Sequence, residues 1–170
     1  MQKENRPQGK WRLIVFGCFG LLLILADQLS KTWIRASLER GEILFDAGIF
    51  QIVHSQNTGV VFGLFKDNIN IIRIIACVAV VLIIGLFIYF YKRWPFLHGR
   101  LVQLALLLIL CGTIGNQIDR FWLGYVIDFI DFKVWPVFNI ADSCTTIGSI
   151  IMAYCIIFQL KLPDKPEKKE

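Results

Sequence analysis

The sequence predicts an all-α membrane protein, a four-transmembrane-helix bundle with a small β-containing outer segment, and three observations carry that expectation. Hydrophobic residues make up 56% of the 170 positions and charged residues only 18%, more apolar surface than a soluble domain of this size can bury. Four runs, 13–34, 71–91, 101–118 and 137–160, supply the roughly 20 mostly apolar residues that a bilayer core of about 30 Å requires. Within them, 74–91, 101–118 and 143–160 contain no charge at all. The third observation is where the basic residues fall. Segments 1–12, 92–100 and 161–170 hold eleven of the eighteen Lys and Arg, whereas the longer segments 35–70 and 119–136 hold only five. By the positive-inside rule both termini and the 92–100 loop are cytoplasmic and the two longer segments face outward.

The first run has a basic flank, Lys3, Arg6, Lys10 and Arg12, of the kind that precedes a cleaved signal peptide, but no small-residue cleavage site ends it, so it reads as a retained span. Segment 35–70 is too apolar for a solvated connection. Within it, 43–45 and 48–53 read as short strands, 57–59 as a turn and 60–65 as its continuation, and the whole segment is expected on the membrane surface. Gly59 and Gly63 lie outside any span, which points to backbone freedom and not to helix packing. Segment 119–136 reads as a loop. The tail, 162–170, reads as disordered. No linker or internal repeat divides the chain, so residues 1–170 are expected to form one integral membrane domain. The five cysteines, Cys18, Cys77, Cys111, Cys144 and Cys155, all fall in spans without metal-type spacing and behave as small apolar residues. The net charge of +5 sorts by membrane side and forms no single patch, which speaks against a nucleic-acid partner.

Ionisable groups inside spans are expensive and face protein or water, so their placement is informative. Asp27 and Lys31 are four residues apart on one face of the first span, acid first. Asn116 precedes Asp119 by three residues and Arg120 by four at the outer end of the third span. Asp128 follows in the outer segment, and Asn139 and Asp142 share a face near the outer start of the fourth. These costly groups reach one depth. Each also has a structural explanation: an ion pair for Asp27 and Lys31, helix capping for Asn116, Asp119 and Arg120, a solvated carboxylate for Asp128. Asp142 stands apart, because no Lys or Arg lies within four residues of it.

Several chemistries lack their parts. His54 and His98 are predicted on opposite sides of the membrane, against a His-rich zinc site or a His-activated nucleophile. Ser30 and Lys31 are adjacent and diverge by about 100° on a helix, against a serine/lysine dyad. No phosphate-binding glycine loop occurs. Carboxylates, asparagines, a lysine and an arginine remain. Two carboxyl groups held close share one proton, so that one activates water while the other donates. A small proton-coupled transporter using Asp27, Lys31 and Asp142 is the alternative, disfavoured because the polar groups do not cross the middle of the membrane.

The motifs Asp27-Gln28-Leu29-Ser30-Lys31, Asn57-Thr58-Gly59-Val60-Val61-Phe62-Gly63, Gly115-Asn116-Gln117-Ile118-Asp119-Arg120, Val126-Ile127-Asp128-Phe129 and Phe138-Asn139-Ile140-Ala141-Asp142-Ser143 together resemble bacterial lipoprotein signal peptidase, also called signal peptidase II. The resemblance implies an aspartyl endopeptidase of the bacterial inner membrane that removes the signal peptide of prolipoproteins just before the diacylglyceryl-modified cysteine. It implies Asp128 and Asp142 as the catalytic pair and Asn57, Gly59, Asn116, Arg120 and Asn139 as substrate-binding, with Asp27 and Lys31 in the supporting polar set. It implies no metal and no cofactor, a protein functional as a monomer among membrane lipid, and inhibition by cyclic peptides of the globomycin type. Asp119 is not the acid that the resemblance makes catalytic. The chain departs from the family at Cys111-Gly112, where paired glycines are common, at Thr145, where an aliphatic residue is common, and in a shorter stretch between Asp128 and Asp142.

Overall fold

The computed structural model describes residues 8–58, 69–91, 93, 94, 97 and 99–160. Among them, α1 (Gln8–Ser37), β1 (Ile43–Asp46), β2 (Gln51–Asn57), α2 (Ile69–Tyr91), α3 (Arg100–Trp122), β3 (Val126–Asp131) and α4 (Ile140–Leu160) follow in chain order. The stretches Ile14–Ser37, Arg100–Trp122 and Ile140–Phe158 are each long and apolar enough to cross a membrane, and α2 carries a shorter apolar stretch, Arg73–Leu86. Leu21, Leu22, Leu25 and Leu29 on α1 and Ile147, Ile150 and Ile157 on α4 are exposed, as helices facing lipid require.

α3 is the central helix, packed closely against both α1 and α4, and small residues permit the approach. A Cβ at Gly112 would collide with the Ala141 carbonyl and Thr145 Oγ1, and one at Gly115 would sit 2.7 Å from Asp27 Oδ2. Without a hydrophobic force between helices in lipid, such contact is a main source of association. Gly112→Ala is therefore expected to push α3 from α4 and to lower the folded yield and the melting temperature in detergent. An unchanged melting temperature would show that the interface yields easily. Cys111 and Cys144 are buried and pack as small apolar groups, as read from the sequence.

The three strands form one antiparallel sheet in the order β1-β2-β3, lying against the C-terminal ends of α1 and α3. Ile34 and Leu38 at the end of α1 pack with Ile127 and Phe129 of β3 in a small core. Ile34 and Ile127 are each 1% exposed, and their burial stabilises by about 1.5–3 kcal/mol apiece.

The strand expected over 43–45 is present as β1. The one expected over 48–53 is displaced: Gly48 has φ +88 and belongs to the hairpin turn, which only a residue tolerant of the left-handed region fills readily. β2 instead runs to Asn57, a residue the sequence reading put in a turn. Segment 119–136 is not a loop. Its first residues complete α3, and Val126–Asp131 form β3, whose alternation is hidden because four of its six residues are buried on both faces. The start of the fourth helix is corrected from 137 to Ile140 because Asn139 caps it. Gly59, Gly63, the 60–65 segment, His98 and the tail 162–170 lie outside the described residues.

Candidate active site

Asp128 and Asp142 come from different elements, and Asn139 joins them. At the start of α4, Asn139 Oδ1 accepts the Asp142 N–H at 2.8 Å, and Asp142 Oδ2 accepts the Asn139 N–H at 3.2 Å. This reciprocal cap satisfies two of the N–H groups that every helix start leaves unpaired, and a carboxylate in the first turn suits the helix dipole. The Asn139 amide then donates from Nδ2 to Asp128 Oδ1 at 2.7 Å. One asparagine thus fixes both acids. The spacing of three that the sequence shows is a cap and third-residue relation, not two positions inside a helix.

The other carboxylate oxygens are also held. Asp128 Oδ2 accepts Asn57 Nδ2 at 3.0 Å from β2, and Asp142 Oδ1 accepts Asn116 Nδ2 at 2.7 Å from α3. Antiparallel pairing puts Ser55 opposite Asp128, which brings Asn57, two residues on and on the same face, within reach. Asp128 is 2% exposed. Burial, and after it the charge of Asp142, push its carboxyl from the ordinary 3.8 up to about 7, against the opposing hydrogen bonds of Asn57 and Asn139 and the charge of Lys31.

That shift predicts a pH-dependent stability. The folded protein holds the Asp128 proton more tightly than the unfolded chain does, so this group's contribution is full below about pH 4 and is lost as pH rises through about 7. Asp128→Asn cannot ionise. The variant is expected to match the wild type near pH 4 and to exceed it at pH 8 by on the order of 4 kcal/mol, read as a higher melting temperature. A wild type whose melting temperature does not fall over this interval would refute the argument.

Asp27 and Lys31 form the expected ion pair at 2.8 Å, both buried, but they are not alone. Lys31 Nζ also meets Asp119 Oδ2 at 3.1 Å and donates to Asn116 Oδ1 at 3.0 Å. Its three protons therefore have three partners. The Asn116 carbonyl oxygen accepts from both Lys31 and Asn139 Nδ2, so its amide nitrogen faces Asp142, and the ion cluster and Asn139 together set the orientation of a residue in contact with the candidate acid. Asp27 Oδ1 accepts the Ala141 N–H at 2.9 Å, tying α1 to the start of α4. Asp119 lies inside α3 and does not cap its end. Its Oδ2 accepts the Ile127 N–H at 3.1 Å and so anchors β3 beside Asp128.

The structure thus assembles Asp27, Lys31, Asn57, Asn116, Asp128, Asn139 and Asp142 into one hydrogen-bonded system. Arg120 stands beside it, close enough to be attracted by Asp142, Asp128 and Asp119, with its Nε buried and unpartnered among the described residues. Sequence reasoning passed over Gln28, whose Nε2 reaches Asp27, Asp119 and the Gly115 carbonyl at 3.0–3.1 Å. A glutamine one residue after Asp27 in an apolar run was the available signal.

Comparison with known proteins gives concordant matches. The family model described as signal peptidase (SPase) II matches residues 19–158. A lipoprotein signal peptidase of Dehalococcoides mccartyi is 45% identical over 82% of this chain and 86% of its own length. One of Streptococcus pyogenes serotype M2 is 42% identical over 86% of this chain and 94% of its own. Among solved structures, a bacterial membrane enzyme determined by the in meso method at 2.3 Å resolution superposes with a TM-score of 0.75 at 28% identity, covering 92% of this chain and 93% of that one.

Proposed function

The chain belongs to the signal peptidase II family, and from that premise we propose that it is an aspartic endopeptidase that removes the signal peptide of diacylglyceryl-modified prolipoproteins, cutting just before the lipidated cysteine. The observation that carries the catalytic assignment is the Asn139 bridge, which binds Asp128 and the Asp142 cap into one unit. One carboxylate takes a proton from water as the water attacks the scissile carbonyl. The other, still protonated, polarises the carbonyl oxygen and then protonates the leaving amide nitrogen. No covalent intermediate is needed. The pair titrates as a unit, so base and acid roles belong to the pair.

Asn57, Asn116 and Asn139 hold the carboxyl groups in register, and the Arg120 Nε–H, unpartnered among the described residues, suits a carbonyl oxygen of the substrate backbone. Gly59, next to Asn57 in sequence, is assigned to substrate binding on the family resemblance. The lipid chains of the substrate lie among the apolar helix faces, and a globomycin-type cyclic peptide competes for the same site. The mechanism needs groups from one chain only, so a monomer suffices for it. A transporter reading is weaker, since the hydrogen-bonded acids gather at one end of the bundle.

Incubating the purified protein with a lipidated prolipoprotein and weighing the products by mass spectrometry tests this reading. A cut on the amino side of the lipidated cysteine supports it. No cut, or a cut elsewhere, refutes it.

For topology we propose four spans in the bacterial inner membrane, α2 included, with both termini cytoplasmic and the site at the outer face. A cysteine introduced at position 4, 97 or 166 into a variant without native cysteines is expected to resist a membrane-impermeant thiol reagent in cells with the outer barrier opened. One at position 67 is expected to react. The reverse pattern would overturn the orientation.

A further inference from the structure

α3 ends without the usual closure. Leu123 N–H bonds the Asp119 carbonyl at 2.7 Å, and Gly124 at φ +83 then turns the chain toward β3. Among the described residues no backbone N–H beyond the end of the helix reaches the next carbonyls, Arg120 and Phe121, and a helix end leaves such groups in need of a donor. Arg73, from α2, supplies it. Its Nε donates to the Arg120 carbonyl at 2.6 Å, its Nη2 to the same oxygen, and Nη2 also reaches the Phe121 carbonyl at 3.5 Å. Nη1 is steadied by Asn70 Oδ1 at 3.2 Å, and the guanidinium lies 5.7 Å from the centre of the Phe121 ring. In return Gln117 Nε2 donates to the Arg73 carbonyl at 2.8 Å. A cation at a helix C-terminus also complements the dipole. The residue gripped is Arg120 itself, whose side chain stands beside Asp128 and Asp142.

We propose that Arg73 is a positioning residue for peptide cleavage: by holding the Arg120 carbonyl it fixes the last turn of α3 and with it the aim of the Arg120 guanidinium at the substrate. The inference rests on the reading of Arg120 as a substrate-binding group. Arg73 does not touch the acids. Its loss leaves the Asn139 bridge intact and lets the last turn fray, so that Arg120 must be reordered each time substrate binds. The cost falls on affinity, not on the chemical step.

The test measures cleavage of a lipidated prolipoprotein by full-length wild type, Arg73→Gln, Arg73→Lys, Arg120→Gln and the Arg73→Gln/Arg120→Gln double variant. Arg73→Gln is expected to raise KM about tenfold with kcat within about twofold, and Arg73→Lys, a point charge able to take one carbonyl, to raise it about threefold. Arg120→Gln should raise KM at least as much, and the double variant should be no worse than Arg120→Gln alone, because both changes remove one interaction. A lowered melting temperature with KM unchanged in Arg73→Gln would make Arg73 merely structural and overturn the inference. So would effects that multiply in the double variant. If Arg120→Gln leaves KM unchanged, the reading of Arg120 falls and the inference with it. If it raises KM while Arg73→Gln does not, only the inference falls. Should Arg73→Gln not fold, Arg73→Lys decides by the same split.

Discussion

Asp128→Asn and Asp142→Asn are each expected to lower kcat by about 10²–10⁴-fold while the protein stays folded and still binds lipidated substrate. Asparagine keeps the size of the side chain. At Asp128 it keeps an acceptor for Asn139 Nδ2, and at position 142 an acceptor for the Asn116 amide, but it cannot exchange the proton that the mechanism moves. Residues that act as one unit fail together, so the double variant should be scarcely slower than either single one. The rate should also depend on pH from both sides. With the Asp128 carboxyl pushed up to about 7, the pair loses its one proton above that pH and the rate falls. In strong acid both groups are protonated, no base remains, and the rate falls again. A chelator should leave the rate unchanged. A single asparagine variant that cleaves at the wild-type rate would refute the two-aspartate mechanism.

The helices were legible because lipid demands long uncharged runs, and 101–118 and 143–160 meet that demand without ambiguity. The bounds were less so, since they depend on side chains that act across the fold. Ile140 starts α4 because Asn139 can reach two partners, and α3 extends to Trp122 because Arg73 from another helix takes its last carbonyls. Arg73 lies 47 residues from the carbonyl it takes, and Asn139, although next to Ile140, owes its orientation also to Asp128 on β3. β3 was missed for a related reason: Val-Ile-Asp-Phe-Ile-Asp has apolar residues on both faces, and the period of two that marks a half-buried strand is lost. Depth in the membrane brought Asp27, Asn116, Asp119, Asn139 and Asp142 to one level, yet depth does not say which acid has a cation. Asp119 and Asp142 look alike along the chain. In space the first is ion-paired with Lys31 at 3.1 Å, whereas among the described residues the second accepts hydrogen bonds only from neutral donors, Asn116 Nδ2 and the Asn139 N–H. That difference separates a charge kept for structure from one available for chemistry.

Lys31→Met is expected to be among the most destabilising single changes in the chain. The cation is 1% exposed and stands between Asp27 and Asp119, themselves 1% and 3% exposed, so the cluster carries one net negative charge with it and two without it. Removing one partner of a buried ion pair costs about 3–5 kcal/mol, and here two carboxylates lose their partner together. The sequence pairs Lys31 with Asp27 alone and so implies that removing both restores a neutral interior. The third member alters the expectation. Lys31→Met with Asp27→Asn leaves Asp119 charged, supported by Gln28 and the Ile127 N–H, so the double variant should be more stable than the single one yet below wild type. Adding Asp119→Asn should recover most of the remainder, because the amide oxygen still accepts from Ile127. Asn116 should hold its orientation in these variants, since Asn139 Nδ2 also donates to its Oδ1 at 3.0 Å, and the folded fraction should retain cleavage within about tenfold of wild type. Melting temperatures and rates per folded molecule decide the matter. If Lys31→Met unfolds no more easily than the double variant, the ion cluster is not what holds α1, α3 and the start of α4 together; if it is stable but inactive, Lys31 belongs to the chemistry of the site.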